Sequence, residues 1–320
     1  MNEPSLDCLC AGIVVADHIC EPVDHVPAAG ELVLTSRMEL SVGGCAANVA
    51  VCLAKLGHRA AVVGKVGADS FGQFVRLFLE AQGVGTEHLG ESSTRDTSGT
   101  LVINTRGEDR RFIHSIGANG ELTGEDISRE LIRNARVLYV GGYGVMDAMS
   151  PQSLAAAFQA ARAAGVPTLL DVVIGKPGDH WSRLQPVLPY TDVFLPNDDE
   201  ARVISGLDNP AEQARAFRDA GAKTVIVTCG KFGAVFASDE TVLQCDGYEI
   251  EFVDGTGSGD AFTAGYIHGL LTGADPISCL RYGSALGASC VRATGATSGV
   301  FSRTELEAFV KGRPLAIRKL

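Results

Sequence analysis

One carboxylate closes a glycine-rich run: Asp254-Gly255-Thr256-Gly257-Ser258-Gly259-Asp260-Ala261-Phe262 leads straight into the apolar pattern Ala261 to Leu271. A turn of this composition feeds a helix N-terminus, whose first amides have no partner inside the helix. Glycines let a ligand approach the backbone without Cβ interference, and the free N–H groups, aided by the helix dipole, form an anion site that suits a phosphate. A carboxylate beside a phosphate costs repulsion, so Asp260 needs a reason to be there. The dipole should keep it ionised, and an ionised carboxylate takes the proton of an alcohol attacking a phosphoryl group. The competing reading is an N-cap on a tight turn, with no chemistry attached.

A second glycine-rich element, Gly43-Gly44-Cys45-Ala46-Ala47-Asn48, opens the apolar stretch Val49 to Gly57. Asn48 sits among Ala and Val, and a buried amide needs both donors and acceptors. Polyol hydroxyls would satisfy it, with Gly43 and Gly44 allowing close approach; a neighbouring loop would do so equally well. Further on, Asp69 or Ser70 reads as the cap of the next helix. Other phosphate loops do not fit. None of the pairs Gly64-Lys65, Gly175-Lys176 and Gly230-Lys231 is followed by Ser or Thr, and no GxGxxG fingerprint opens an early strand–helix junction.

Positioning these residues falls to short apolar runs alternating with helical patterns. Leu6 to Val15, Ala60 to Val66, Val137 to Val140, Pro167 to Leu170, Val193 to Leu195 and Thr224 to Thr228 read as buried strands of a parallel sheet. Ala46 to Leu56, Phe71 to Gln82, Gln152 to Ala164 and Ala211 to Ala220 carry helical periodicity, the last three stopping at Gly83, Gly165 and Gly221. The expectation is one α/β domain over residues 1–320, doubly wound around a mostly parallel sheet with helices on both faces. About residues 17–42 and 96–118 break the rhythm. They predict a small antiparallel β-lid, with a hairpin turning at Arg106-Gly107-Glu108-Asp109.

Composition narrows the function classes. With 27 basic and 38 acidic residues the net charge is -11, which argues against nucleic-acid binding. The nine cysteines form no CxxC pair and read as reduced thiols. With no secretory pattern and no apolar run of about 20 residues, a soluble, cytoplasmic protein is expected.

Together, Gly43 to Gly57, Val63 to Gly72 (VGKVGADSFG) and Asp254 to Phe262 resemble the two signatures of the ribokinase, or PfkB-type, carbohydrate kinases. The resemblance extends to Ala16-Asp17-His18-Ile19, similar to the sugar-binding entry of that family, and to Gly117-Ala118-Asn119, similar to its lid-closing segment. Asn197-Asp198-Asp199-Glu200 resembles its NxxE motif, and Thr228 to Gly233 its nucleotide loop. It implies a ribokinase-like fold and an ATP-dependent phosphotransferase that acts on a hydroxyl, the primary CH2OH, of a sugar or sugar derivative. Asp260 would be the base, with the backbone of Gly257, Ser258 and Gly259 as anion hole. Asp17, Gly43, Gly44 and Asn48 would hold the sugar; Asn197, Thr228, Gly230 and Gly233 would serve the nucleotide. Glu200 would hold Mg2+ through water, although Asn197 and Glu200 also form the pattern of a capping box. Asp254, Thr256, Cys290 and Gly295 fall where related kinases bind K+.

The departures concern the acceptor. Gly141-Gly142-Tyr143 stands where ribokinases carry an acidic sugar ligand, and Asp171 is followed by Val172, Val173, Ile174 and Gly175 instead of the Asn and Arg of fructokinases. A nucleoside kinase of the same superfamily is therefore a second expectation, with Phe112, His114 or Tyr143 against a base. A non-catalytic sugar sensor and a nicotinamide dehydrogenase are more remote, the latter lacking its fingerprint. Apolar Val33, Leu40, Leu101 and Ile103 exceed what a thin lid can bury, so a homodimer through the lid is expected.

Overall fold

Residues 4–107, 111–175 and 178–320 are described by a computed structural model. Its strands run in chain order as β1 (Leu6–Gly12), β2 (Val15–Cys20), β3 (Met38–Gly43), β4 (Ala60–Gly67), β5 (Leu89–Ser92), β6 (Gly99–Ile103), β7 (Arg111–Ser115), β8 (Ala135–Tyr143), β9 (Thr168–Val172), β10 (Val193–Phe194), β11 (Thr224–Thr228), β12 (Ala234–Ala237), β13 (Val242–Cys245) and β14 (Ile317–Lys319). Ten of them form one sheet in the order β14-β13-β12-β11-β10-β9-β8-β1-β4-β5. Pairing is parallel from β5 through to β11, and β12 to β14 add antiparallel strands at the far edge.

Both faces are covered because successive side chains of a strand point opposite ways. On β1, Cys8 and Cys10 pack into one core with the helices Cys45–Lys55 and Ser258–Leu271, while Leu9 and Ala11 join the other with Pro151–Ala163 and Pro210–Asp219. This is the expected doubly wound architecture. Three helices end just ahead of glycines in the left-handed region, Gly83, Gly165 and Gly221, as their stop signals predict. Winding reverses at β1, whose neighbours β4 and β8 continue the sheet in opposite directions. Ligands of such sheets bind outside the strand ends at this switch point.

The lid departs from expectation in three ways. Its order is β3-β2-β6-β7, and β2 pairs with β6 in parallel, so the sheet is mixed instead of antiparallel. Both strands leave the same end of the main sheet, and they must run alongside each other. Residues 21–37 contribute only an isolated bridge, Val23 to Thr105. The turn proposed at Arg106 to Asp109 lies partly outside the described residues. The single apolar run Leu6 to Val15 also divides, bending at Ile13 and Val14. There Asn119 accepts a hydrogen bond from Val14 N (3.1 Å) and donates one to Val14 O (2.8 Å), pinning the point where the chain passes from main sheet to lid.

Candidate active site

The late glycine loop ends on the helix Ser258–Leu271 with Gly257 as its N-cap at φ 74°, and no side chain caps the helix. The reading of Asp260 as a simple cap therefore fails: it occupies the helix's first turn with its carboxylate turned to other partners. A Cβ on Gly257 would stand 2.4 Å from Ala296 O, so glycine is required twice over, by conformation and by crowding. Ser258 N is already engaged by Gly255 O at 3.3 Å. Around Gly259 no atom lies within 4 Å of an added Cβ, which leaves that stretch of backbone open to a ligand.

Asn48 Nδ2 donates to Asp260 Oδ2 at 2.8 Å. Part of the amide expected to hold a sugar is thus spent on orienting the Asp260 carboxylate, across 212 positions of sequence. Burial raises the proton affinity of Asp260 against the hydrogen bonds from Asn48 and Cys45. Burial is the largest influence on this carboxyl, one that the reading of the sequence did not include. Ligand atoms of Cys45, Asp171 and Asp260 lie within 4.8 Å of one another. Asp171 accepts from Tyr139 Oη at 3.1 Å, and burial, then the Glu200 and Asp260 charges, push its carboxyl well above the usual range. Burial likewise lifts Glu200 to about 7, with the Asp260 charge adding to it.

Two clefts flank this loop. The smaller, about 480 Å³, is lined by Asp17, Gly44, Asn48, Asp254, Thr256, Gly257 and Asp260 together with lid residues. Gly43 does not line it but makes room for it: a Cβ there would sit 2.0 Å from Asp17 Oδ2. Burial lifts Asp17 to about 6, opposed by a hydrogen bond from Thr100. The larger cleft, about 840 Å³, is lined by Thr228, Gly230 and Gly233 on one side and by Gly255, Ser258 and Gly259 on the other. Gly257 and Asp260 therefore line one cleft while Gly255, Ser258 and Gly259 border the other.

Asn197 and Glu200 line neither cleft. They form the capping box of the helix Asp198–Ser205: Asn197 Oδ1 accepts from Glu200 N (2.8 Å) and Asn197 N donates to Glu200 Oε2 (3.0 Å). A β-bridge joins Asn197 to Thr228, so the cap also fixes one wall of the larger cleft. Asp254 Oδ1 accepts from Thr256 N and Oγ1, each at 2.8 Å, and Oδ2 from Gly295 N at 2.9 Å. Cys290 Sγ donates towards Thr256 O (3.2 Å) and Ala296 O (3.1 Å), bringing those carbonyls to one spot. Asp69 caps the helix Ser70–Ala81 as read, and also holds Thr97 N and Oγ1 at 2.7 Å each.

Sequence reasoning missed Cys45, Asp171 and Tyr139 as neighbours in the Asp260 cluster, and Tyr248 and Phe252 on the larger cleft. Asp171 had a signal, an acid ending a buried strand, but it read only as an incomplete motif. The others have none without tertiary contacts.

Comparison with known proteins identifies the family. The model for pfkB family carbohydrate kinases matches residues 5–302. The chain is similar to a ribokinase of Haemophilus influenzae, 26% identical over 307 residues that cover 94% of this chain and 97% of the relative. It is also similar to a 5-dehydro-2-deoxygluconokinase of Clostridium perfringens, 25% identical over 287 residues and 84% of each chain. In fold it resembles an Arabidopsis thaliana ribokinase complexed with ribose and ATP, with TM-score 0.83 and 24% identity over 96% of this chain and 99% of that one.

Proposed function

This chain belongs to the pfkB family of carbohydrate kinases, and on that premise we propose that it moves the γ-phosphoryl group of ATP to a hydroxyl, the primary CH2OH, of a sugar held in the smaller cleft. One observation carries the reading: the loop Gly255 to Asp260 stands between two clefts, with Gly257 and Asp260 lining one and Gly255, Ser258 and the open Gly259 lining the other. As the acceptor oxygen bonds to phosphorus and the bond to ADP breaks, the hydroxyl proton passes to Asp260. The backbone of Gly257, Ser258 and Gly259 then faces the charge on the transferred group, Ser258 N turning to it from Gly255 O. A carboxyl whose proton affinity burial has raised is the better base for this transfer. Asp17 and Asn48, with Gly43 and Gly44 giving access, orient the sugar; Thr228, Gly230 and Gly233 seat the nucleotide. The lid over the smaller cleft keeps water from competing as acceptor.

The Glu200 and Asp260 charges raise the proton affinity of Asp171, and the Asp260 charge that of Glu200, and such a surplus of negative charge fits a divalent cation nearby. Mg2+ bound with the ATP phosphates supplies charge neutralisation, and Glu200, whose Oε1 the capping box does not use, would hold it through water. The carbonyls of Thr256 and Ala296 beside Asp254, Gly295 and Cys290 suit a K+ ion bound by backbone oxygens. Replacing K+ by Na+ in the assay tests that site.

A second reading, a nucleoside acceptor, has one observation in its favour: the lid end of the smaller cleft is apolar, with Val102, Phe112 and Ile116. Tyr143 is fully buried and takes no part in it. Further, we read the lid as a homodimer face. Leu32 and Leu34 are 84% and 83% exposed and Ile113 63%, a heavier apolar surface than the half-buried Val33, Leu40 and Ile103. Sedimentation at micromolar concentration should give twice the chain mass. All nine cysteines are free, which fits a reducing, cytoplasmic setting, and no helix among the described residues is long and apolar enough to cross a membrane.

The test is ADP release against a panel of sugars and nucleosides. Turnover should require one acceptor class and fall by about 10²–10⁴ in Asp260→Asn. ADP release that ignores the acceptor and survives this substitution would contradict the assignment.

A further inference from the structure

The helix Cys45–Lys55 reaches the reaction loop from both of its ends. Near its start, Asn48 Nδ2 donates to Asp260 Oδ2 at 2.8 Å. At its last residue, roughly two turns on and therefore on the same face, the Lys55 ammonium donates to Thr297 O at 2.6 Å, across 242 positions of sequence. A lysine that closes a helix ordinarily serves the carbonyls of its own last turn. This one is committed to a distant loop. Residues 291–300 form no helix or strand, so their shape depends on such contacts. Thr297 O also accepts from Val300 N at 3.3 Å. Its neighbour Ala296 is the residue against which Gly257 packs, with Ala296 O 2.4 Å and Ala296 Cα 2.7 Å from an added Cβ. Gly295 N, one residue earlier, donates to Asp254 Oδ2 at 2.9 Å.

The loop therefore abuts the turn Asp254 to Gly257 at two points, and Lys55 ties it to the helix that carries Asn48. Close packing passes a displacement of Ala296 directly to Gly257. A hydrogen bond from an ammonium is among the stronger kinds, and its loss would release Thr297 and with it Ala296. The backbone from Gly257 to Gly259 meets its full charge only during transfer, so misplacing it lowers kcat more than it weakens binding. We infer that Lys55 is a positioning residue for phosphoryl transfer: its ammonium fixes residues 291–300 against Gly257 and so sets the anion-binding backbone relative to Asp260. Lys55 itself lines neither cleft. The inference rests on the kinase reading above and adds to it a residue that acts through its neighbours.

The experiment compares wild type, Lys55→Met and Lys55→Arg by ADP release with the best acceptor and by hydrogen exchange. Lys55 is half-buried, and Lys55→Met keeps its bulk without the donor; Lys55→Gln takes its place should that variant not fold. A shift of about 1 Å in reacting groups costs about 100-fold, so kcat in Lys55→Met should fall by at least about tenfold. KM for ATP and for the acceptor should stay within about twofold of wild type. A single carbonyl needs a donor and not the ammonium's particular shape, so Lys55→Arg should keep kcat within about threefold. Amides of residues 254–260 and 291–300 should exchange about tenfold faster in Lys55→Met, with the rest of the chain unchanged. Wild-type kcat in Lys55→Met, a loss that sits in KM or is shared equally by Lys55→Arg, or exchange that quickens everywhere or nowhere overturns the inference while the kinase reading stands. If the wild-type chain releases ADP with no acceptor, the kinase reading itself falls, and the inference with it.

Discussion

The two glycine turns that frame the reaction differ in what crowds them. At the early turn the neighbours are the protein's own: an added Cβ would meet Asp17 Oδ2 at Gly43 and Ile13 O, at 2.5 Å, at Gly44. At the late turn, Gly257 is hemmed in by Ala296, but Gly259 two residues on meets nothing within 4 Å. A glycine in a helix that no contact requires is a cost, about 1 kcal/mol against alanine. The early glycines thus shape a cavity whose walls are already present, whereas Gly259 borders open space in the larger cleft. On the proposed reading, the early turn would serve the acceptor and Gly259 the nucleotide.

Substitutions can break that division. Gly257→Ala should have the largest effect. It forces a side chain into the left-handed region at a cost of about 1–2 kcal/mol, and pushes the loop off Ala296. A shift of about 1 Å in reacting groups lowers rates by about 100-fold; kcat/KM for both substrates should fall by at least that much, with a lowered melting temperature. Gly43→Ala should act more narrowly: its Cβ displaces the Asp17 carboxylate, raising KM for the acceptor by about tenfold, the loss of a charged hydrogen bond, and leaving KM for ATP unchanged. Gly259→Ala should do the reverse. ATP KM should rise several-fold while denaturant titration shows stability held or increased by up to about 1 kcal/mol. Equal effects of the last two on both KM values would erase the distinction between the turns.

The smallest effect expected is on pH dependence. Asp17 is protonated in the folded protein below about 6 and in the unfolded chain only below the usual carboxylate range. Between those limits the folded state holds the extra proton, so this group's contribution to stability declines as pH rises through the window. Acceptor binding responds oppositely, since only the ionised carboxylate accepts hydrogen bonds from two hydroxyls. Acceptor KM should rise a few-fold as pH drops below about 6, and Asp17→Asn should flatten that rise.

How much of this was legible in the sequence follows from the range of each interaction. Both glycine turns, the alternating elements and the helix stops are local patterns, and they appear in the structure where the sequence puts them. Asp260 was legible as a candidate because it follows three glycines at a helix start. Its partners were not. Asn48 reaches it across 212 residues, and Asp171 and Tyr139 meet it only because β8 and β9 lie side by side. Burial of that cluster raises the proton affinity of Asp260, and burial cannot be read from a nine-residue motif. The mixed pairing of the lid escaped for the same reason, since direction depends on where both strands leave the main sheet.

The most direct test of the central claim is a crystal structure of the protein with an unreactive ATP analogue and the acceptor identified by ADP release. The account predicts the acceptor hydroxyl within hydrogen-bond distance of Asp260 on one side of the loop, and the γ-phosphate against the amides of Gly257 to Gly259 on the other. A nucleotide bound away from that backbone, or an acceptor whose hydroxyls all avoid Asp260, would contradict it.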